Sequence, residues 1–573
     1  MAWHPQHRGH RRPVGLLLAL LLYTLLATLT IRDMGRVGEV ARSWTHGHPA
    51  KVVVSTDPLR WADGAADLTA GHRLGPLVAS QARPIEYLQL GELKLPVAVN
   101  QYTGGLADWP SRILVAVTGA PDAAVLMHLL LGALIIILVH RFLRFHGTDI
   151  AATIAALVLA TDWGFHFYRK ALGGTEILLQ AGVLLCLWAL WSRRWAGGRH
   201  GLRALGIGVG IGLLAKLTFI LSLAALFITA VLLRRDKPPL RPALPDKPWR
   251  FILWTLLLIS PLVITALHHS MAVPDTPHIR SHDFVQMQWS RVMAVLSGGS
   301  APARESVAAL WAWLGDPSRF LETAMGAQVS GAPQALRWTG WLIILGGTIG
   351  AWRDRHPTPH LALLRFTSLF LILQVGLVWG IAKDMHHLGM ATPVAAIVAG
   401  LAMDTLMGRF TPPRSPARAL ASTIIATPWL IAGMVALQHT DVALSTVQRP
   451  SLTRSGQSAL GAMLHANGVQ KLIVIDYELA GAIEPEIPDI EVVHGWGLAS
   501  RHNKRALKPL LRLGAGHHLL VIPGAPPWIY NLKPRSVALE QAASEVGLST
   551  VAVDRLPDDG AVLYALRATA VEN

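Results

Sequence analysis

An acidic residue, Asp33, follows directly after the first strongly apolar run of the chain. Charged side chains beside an apolar span are energetically costly and tend to be functional. Arg36 and Glu39 follow at helical spacing, which predicts a short helix just beyond the run. Two interpretations remain open: a carboxylate with a chemical role, or a solvated helix start in which an acid stabilises the N-terminal dipole.

A second group of charges lies in one turn between two later apolar runs. Arg169 and Lys170 stand near its beginning, and Glu176 heads the run that follows. An arginine offers a bidentate fork and a lysine a point charge, so the two cations are suited to binding a phosphate. Glu176 could orient a substrate, bind a metal or pair with Arg169, and a purely structural Arg169–Glu176 pair remains the alternative.

Lys216 interrupts a long apolar stretch. A lysine that faced lipid would cost several kcal/mol, so it is expected to face a cavity or an anion. A phosphate or pyrophosphate is the natural partner for such a cation. Snorkelling of its long side chain to the surface is the alternative.

A further polar turn contains Lys383, Asp384, His386 and His387. Two neighbouring histidines suggest a metal site. However, adjacent residues on a helix point in different directions, so one ion rarely binds both. The sequence therefore assigns no metal here, and Lys383 is the available cation.

The run from Leu95 to Leu106 contains Tyr102 just before two glycines. The glycines permit a tight turn, and Tyr102 and Trp109 can anchor where apolar surroundings meet water. Simple packing and anchoring by these two aromatic residues is the alternative to a binding role.

The elements that must position these residues are mainly apolar helices. The chain has 573 residues, of which 52% are hydrophobic and 15% charged, and its mean hydropathy is +0.40. This composition excludes a disordered chain and argues against a purely soluble one. Runs of about the length that spans a bilayer are predicted near 14–31, 122–140, 149–167, 176–193, 251–269, 338–352, 361–382, 388–407 and 419–437.

The stretch 203–233 is long for one span and short for two. Arginine and lysine clusters flank it on both sides, and both clusters should be cytoplasmic. The chain must therefore cross and return, so we predict two short helices with Lys216 near the outer turn. The sequence then predicts a polytopic α-helical membrane protein with about eleven transmembrane helices.

Positive charge also predicts the orientation of the chain. Residues 1–13 are expected to be cytoplasmic, and the loops 32–121 and 270–337 to lie outside. Much of the net charge of +16 then marks the cytoplasmic ends of the helices. This explanation of the charge argues against nucleic-acid binding. The sole cysteine, Cys186, excludes an internal disulfide. An Ala-, Leu- and Arg-rich composition with compact loops indicates a bacterial inner (plasma) membrane.

Residues 438–573 form a polar tail with its own pattern. Short buried strands are predicted at 471–476, 490–493, 518–523, 549–553 and 561–565, and helices near 455–467, 503–513 and 535–546. This pattern predicts a small extracytoplasmic α/β domain. It contains no glycine-rich nucleotide fingerprint.

Several of these segments together resemble the GT-C glycosyltransferases, the superfamily of protein O-mannosyltransferases and lipid A aminoarabinose transferases. Asp33, Arg36, Glu39 and Arg42 match the family's acidic motif, with Met34 in place of its second acid. The run 95–119 is similar to the segment that leads into the family's second helix. The resemblance covers about residues 14–435, so we assign 14–437 to a GT-C-like transmembrane domain.

The resemblance implies an inverting transfer of a sugar from a polyprenyl phosphate to a lipid, glycan or protein acceptor on the outer face. It implies that Asp33 is the general base and that Glu176 assists it. The cations that would bind the donor phosphate are Arg36, Arg169, Lys170, Lys216 and Lys383, and the residues on the acceptor side are Glu39, Tyr102, His386 and His387.

No cofactor is required on this interpretation, and a divalent cation is left open. Two other functions remain as alternatives. A non-catalytic relative that scaffolds an envelope assembly would account for Met34. A transporter of lipid-linked sugars would predict inverted repeats, and the sequence contains no internal repeat.

Overall fold

The computed structural model describes residues 14–30, 86–90, 93–100, 103–104, 106, 109–118, 123–171, 174–196, 201–216, 218–233, 249, 252–260, 314–315, 334–355, 357–382, 385–411, 416–445, 454–474, 487, 489–494, 518–521, 543–545, 547–555 and 562–568. The described helices are α1 Val14–Leu29, α2 Trp109–Thr118, α3 Ala123–His146, α4 Asp149–Thr161, α5 Trp163–Ala171, α6 Gly174–Ala196, α7 Gly201–Ala215, α8 Phe219–Leu232, α9 Gln334–Arg353, α10 Pro359–Ala382, a 3₁₀ helix Met385–Ala391, α11 Thr392–Met407, α12 Pro416–Ser445 and α13 Arg454–Ala466. Residues 252–260 are also helical.

Two short, alanine-rich helices, α4 and α11, form the centre of the helical bundle. Almost every residue of both is buried, and they pack against each other, while α1, α9 and α12 surround them. The backbones approach closely at Gly400, where a Cβ would lie 2.3 Å from the carbonyl oxygen of Ala151. Small side chains thus allow the backbones of these two helices to pack closely.

Contacts between helix ends define two ends of the bundle. At the upper end, Asp162 meets Arg337 and Gln180 meets Gly389. At the lower end, Asp404 meets Arg418. Helices α4, α10 and α12 therefore run from the lower end to the upper end, and α6, α9 and α11 run in the opposite direction.

Charged and polar side chains hold the helices together at the lower end of the bundle. The Asp404 carboxylate is fully buried and accepts hydrogen bonds from Arg418 Nε at 2.9 Å and from Thr148 Oγ1 at 2.5 Å. Arg418 also donates to the Asp404 carbonyl oxygen, and His360 Nε2 lies 3.9 Å from the carboxylate. These contacts join α4, α10, α11 and α12 at one point.

The stretch 203–233 divides into two helices at Lys216, as the sequence predicts. The turn is tight because Gly212 has no side chain: a Cβ there would lie 2.4 Å from the Phe219 ring. The two helices diverge after the turn, since α7 packs on α6 and α8 packs on α10.

The predicted span 149–167 is wrong as a single helix, because α4 ends at Thr161 and α5 begins at Trp163. Asp162 between them adopts an extended backbone with ψ 125°. Its carboxylate accepts a hydrogen bond from the Phe165 N–H at 2.9 Å. An aspartate that caps a new helix start in this way competes with continuation of the old helix.

Length and composition make five of the described helical segments suitable for crossing a membrane: Leu126–His146, Thr175–Ser192, Pro359–Val378, Leu388–Met407 and Leu420–Thr440. Shorter apolar helices accompany them at Val14–Leu29, Asp149–Thr161, Arg203–Ala215 and Phe219–Leu232. Many large apolar side chains of α1, α8 and α12 are exposed on the outside of the bundle. A bilayer would cover such side chains.

Two sheets accompany the helices. A three-stranded antiparallel sheet, β1 Glu86–Leu90, β2 Leu93–Asn100 and β3 Thr103–Gly104, precedes α2. A five-stranded sheet follows α13, with strands β4 Lys471–Val474, β5 Glu491–His494, β6 His518–Val521, β7 Leu548–Arg555 and β8 Val562–Ala568 in the order β5-β4-β6-β8-β7. Strands β5, β4 and β6 are parallel, and β8 is antiparallel to β6 and β7.

The strands of this second sheet coincide with the strands predicted for the tail. Of the predicted tail helices, α13 matches 455–467, the segment 503–513 lies outside the described residues, and only 543–545 of 535–546 is described.

Candidate active site

The upper end of the bundle brings together several of the elements that carry predicted site residues. The 3₁₀ helix, which contains His386 and His387, contacts α5, α6, α10 and α11. Helix α5 carries Arg169 and Lys170, and α6 begins two residues before Glu176. Residues that are far apart in sequence are thus placed on touching elements.

Glu176 lies in the first turn of α6 and is 2% exposed. An acid in the first turn is stabilised by the positive end of the helix dipole. Gln180, one turn further along α6, donates a hydrogen bond to the carbonyl oxygen of Gly389 in the 3₁₀ helix at 3.0 Å. The helix that begins with Glu176 is therefore fixed directly to the 3₁₀ helix.

Lys216 lies in the turn between α7 and α8 and is half-buried. Its backbone N–H donates to Gly212, and its carbonyl oxygen accepts from Phe219. Ser222, in the first turn of α8, donates to Met390 Sδ of the 3₁₀ helix at 3.0 Å. The turn that contains Lys216 is thus close to the same junction.

Other predicted site residues cannot be placed at the level of side chains. Those that lie outside the described residues are Asp33, Arg36, Glu39, Tyr102 and Lys383. The side chains of Arg169, Lys170, His386 and His387 are likewise outside the description, although their backbones belong to α5 and the 3₁₀ helix.

Helix α1, which precedes Asp33, is anchored to the same end of the bundle. Tyr23 is fully buried, and its hydroxyl donates to the Leu129 carbonyl oxygen of α3 at 3.1 Å. Its ring lies 5.1 Å from the His166 ring and 5.7 Å from the Phe165 ring, both on α5. The helix before the predicted base therefore packs against the helix that carries two predicted cations.

The structure also reveals a buried ion pair that the sequence did not indicate. Arg337 Nη2 lies 3.6 Å from Asp162 Oδ2, and both side chains are less than 10% exposed. Arg337 Nε donates to the Leu314 carbonyl oxygen at 3.0 Å, and its guanidinium lies 5.1 Å from the centre of the Trp429 ring. The isolated arginine at the start of an apolar run was the available signal for this partner.

Within the described part of the chain, no group of three or more His, Cys, Asp or Glu side chains could hold a metal ion. The elements that contact the 3₁₀ helix include α5, which carries Arg169 and Lys170, and α6, whose first turn contains Glu176.

Solved structures of one protein match this chain over nearly the full length of both chains. The structure of ArnT from Cupriavidus metallidurans in the apo state has a TM-score of 0.52 and 13% identity, and the match covers 96% of this chain and 97% of that one. ArnT from the same organism bound to undecaprenyl phosphate has a TM-score of 0.53 and 12% identity, with coverages of 98% and 100%. This chain has a GT-C fold.

A family model supports the same relationship over part of the chain. Residues 105–264 match the family described as dolichyl-phosphate-mannose-protein mannosyltransferase. The matched segment contains Arg169, Lys170, Glu176 and Lys216. No curated protein matches the sequence at a significant level. The resemblance to GT-C glycosyltransferases that the sequence predicts is thereby confirmed.

Proposed function

We propose that the protein is a membrane glycosyltransferase that moves a sugar from a polyprenyl phosphate to an acceptor outside the cytoplasm. The observation that carries this proposal is the junction at the 3₁₀ helix. There the elements that bear an acid (Glu176) and several cations (Arg169, Lys170 and the Lys216 turn) meet at one end of an apolar bundle. A lipid carrier anchored in a bilayer would present its phosphate at such an end.

The proposed chemistry is an inverting displacement at the anomeric carbon. Asp33 accepts the proton of the attacking acceptor group as the new bond forms, with Glu176 orienting the acceptor. The polyprenyl phosphate leaves with the bonding electrons and is stabilised by cations from the set Arg36, Arg169, Lys170, Lys216 and Lys383. Glu39, Tyr102, His386 and His387 are proposed to contact the acceptor.

Three features support a lipid-linked donor. The fold is that of ArnT, and one of the matched ArnT structures is bound to undecaprenyl phosphate. The matching family model is described by a dolichyl-phosphate-mannose donor. The net charge of +16 includes cations at the upper end of the bundle, which an anionic headgroup would require.

The orientation belongs to the same proposal. The upper end is taken to face outward and the charged lower end to face the cytoplasm, because arginines and lysines gather in cytoplasmic connections. The protein would then lie in a bacterial inner membrane, with eleven spans, a transmembrane domain at 14–437 and the tail 438–573 outside.

Two measurements test the proposal together. Lipid extracts of cells that lack the gene are compared with wild-type extracts by mass spectrometry, and a polyprenyl-phosphate-linked sugar should accumulate. Membranes of these cells, supplied with the wild-type chain, should then release undecaprenyl phosphate from one of a panel of undecaprenyl-phosphate-linked hexoses, pentoses and aminopentoses. Wild-type chain that consumes none of these donors, together with unchanged lipid extracts, contradicts the proposal.

A non-catalytic scaffold is the second candidate, because Met34 replaces the second acid of the family motif. Under this alternative, loss of the gene would disturb the cell envelope, while an Asp33→Asn chain would restore it fully. If the protein is a transferase, the Asp33→Asn chain would not restore the cell envelope.

A further inference from the structure

A layer of uncharged polar side chains is buried directly beneath the 3₁₀ helix. Gln180 of α6 and Ser222 of α8 are each 2% exposed, and Gln374 of α10 is 0% exposed. The three come from different helices of an otherwise apolar bundle. We refer to them as the amide layer.

Two separate hydrogen-bonded links run from the amide layer to the 3₁₀ helix. Gln180 Nε2 donates to the carbonyl oxygen of Gly389 at 3.0 Å. Gln374 Nε2 donates to Ser222 Oγ at 2.9 Å, and Ser222 Oγ donates to Met390 Sδ at 3.0 Å. The links end on adjacent residues of the 3₁₀ helix. Together they fix the position of this helix along the bundle and its rotation about its own axis.

Stability alone does not account for these amides. The side-chain oxygens Oε1 of Gln180 and Gln374 are buried and have no hydrogen-bond partner among the described residues. A buried acceptor without a partner costs free energy, whereas an apolar side chain of similar shape at the same place does not. A glutamine at such a position is therefore a poor choice for packing and a suitable one for holding a neighbouring backbone.

We propose that the amide layer positions the reaction: the Gln180–Gly389 link and the Gln374–Ser222–Met390 chain hold the 3₁₀ helix, with His386 and His387, at a fixed place relative to Glu176. This inference rests on the proposed transferase function. Gln180, Ser222 and Gln374 act through the 3₁₀ helix and are positioning residues rather than catalytic ones.

The test compares Gln180→Met, Gln374→Met and Ser222→Ala with a matched control. Methionine keeps the length of glutamine and removes its donor. The control is Thr367→Val, because Thr367 lies on α10 with Gln374, is 0% exposed, and donates its hydroxyl within its own helix. Full-length chains are assayed in membranes of gene-deleted cells with the undecaprenyl-phosphate-linked sugar that the wild type consumes.

We expect kcat to fall about 10- to 100-fold in the two Gln→Met variants, because small misplacements of reacting groups have effects of this size. The KM for the donor should stay within about threefold. The midpoint of thermal unfolding should change little, since each methionine removes a buried acceptor without a partner, which offsets the loss of the donated hydrogen bond. The kcat of the double variant Gln374→Met with Ser222→Ala should be no lower than that of Gln374→Met, because both substitutions interrupt the same series of hydrogen bonds. Thr367→Val should match the wild type.

A second readout is independent of turnover. Amide hydrogen exchange of the peptide 385–391 should accelerate in Gln180→Met and Gln374→Met and stay unchanged in Thr367→Val. Wild-type kcat in both methionine variants, or unchanged exchange in the peptide, overturns the inference. If the wild-type chain consumes no donor while exchange accelerates as expected, the proposed function fails and the structural link stands.

Discussion

Arg337 and Asp162 form a buried ion pair, 3.6 Å between Nη2 and Oδ2, that joins the beginning of α9 to the turn between α4 and α5. The same carboxylate caps α5 by accepting the Phe165 N–H. Since α5 carries Arg169 and Lys170, the pair fixes the start of the helix on which these two residues lie.

Arg337→Leu should destabilise the protein strongly, because it leaves the Asp162 carboxylate buried without its cation. Loss of one partner of a buried pair typically costs about 3–5 kcal/mol. The midpoint of thermal unfolding in detergent measures this effect. The double variant Arg337→Leu with Asp162→Asn should recover much of the loss, and a double variant as unstable as the single one would contradict the pairing.

Gly212→Ala should destabilise the turn at Lys216, because the new Cβ would lie 2.4 Å from the Phe219 ring. Overpacking of this kind costs about 1–3 kcal/mol, and Phe219→Val in the same chain should relieve part of it. The control is Gly346→Ala in α9, where a Cβ would meet nothing within 4 Å. This control should be neutral or slightly stabilising, by up to about 1 kcal/mol.

Arg418→Met at the lower end should reduce stability and leave turnover per folded molecule unchanged. Arg418 lies 2.7 Å from the fully buried Asp404 carboxylate, so its loss should cost about 3–5 kcal/mol. Arg144→Met is the matched control: its partner Asp149 is half exposed and 3.4 Å away, and such surface pairs contribute about 0–1 kcal/mol. A fall in kcat with unchanged stability in Arg418→Met would contradict the assignment of the reaction to the upper end of the bundle.

Asp33→Asn should lower kcat by about 10²- to 10⁴-fold, which is the usual contribution of a general base, without changing expression or thermal stability. Donor consumption in membranes measures the change. Asp149→Asn removes an acid at the lower end of the bundle and should leave activity intact. Full activity in Asp33→Asn would show that the base is another residue.

Much of the helical architecture could be predicted from the sequence, because apolar runs and breaks in them carry the information. The break at Lys216 follows from a charge in the middle of such a run, and α10 occupies Pro359–Ala382 where a helix was predicted at 361–382. The break at Asp162 was not predicted, because the run 149–167 has the length of a single span. There the Asp162 carboxylate caps a new helix by accepting the Phe165 N–H, and it pairs with Arg337 from a distant part of the chain.

Charges at the ends of apolar runs pointed to Glu176 and Lys216 as candidate site residues. The structure shows that α6, which contains Glu176 in its first turn, contacts the 3₁₀ helix, and that Ser222 of α8, the helix after Lys216, donates a hydrogen bond to it. Gln180, Ser222 and Gln374 gave no signal, because single polar residues within an apolar helix are common. Their role depends on neighbours from other helices, a contact that spacing along the chain does not encode.

The two ends of α11 are held by different forces. Near the carboxyl end of α11, Asp404 forms an ion pair with Arg418. The 3₁₀ helix before its amino end is held by hydrogen bonds from uncharged side chains. Twelve residue steps from Thr392 to Asp404 separate these regions by about 18 Å along a helix. Substitutions around the upper end can therefore accumulate during evolution without loosening the ionic anchor.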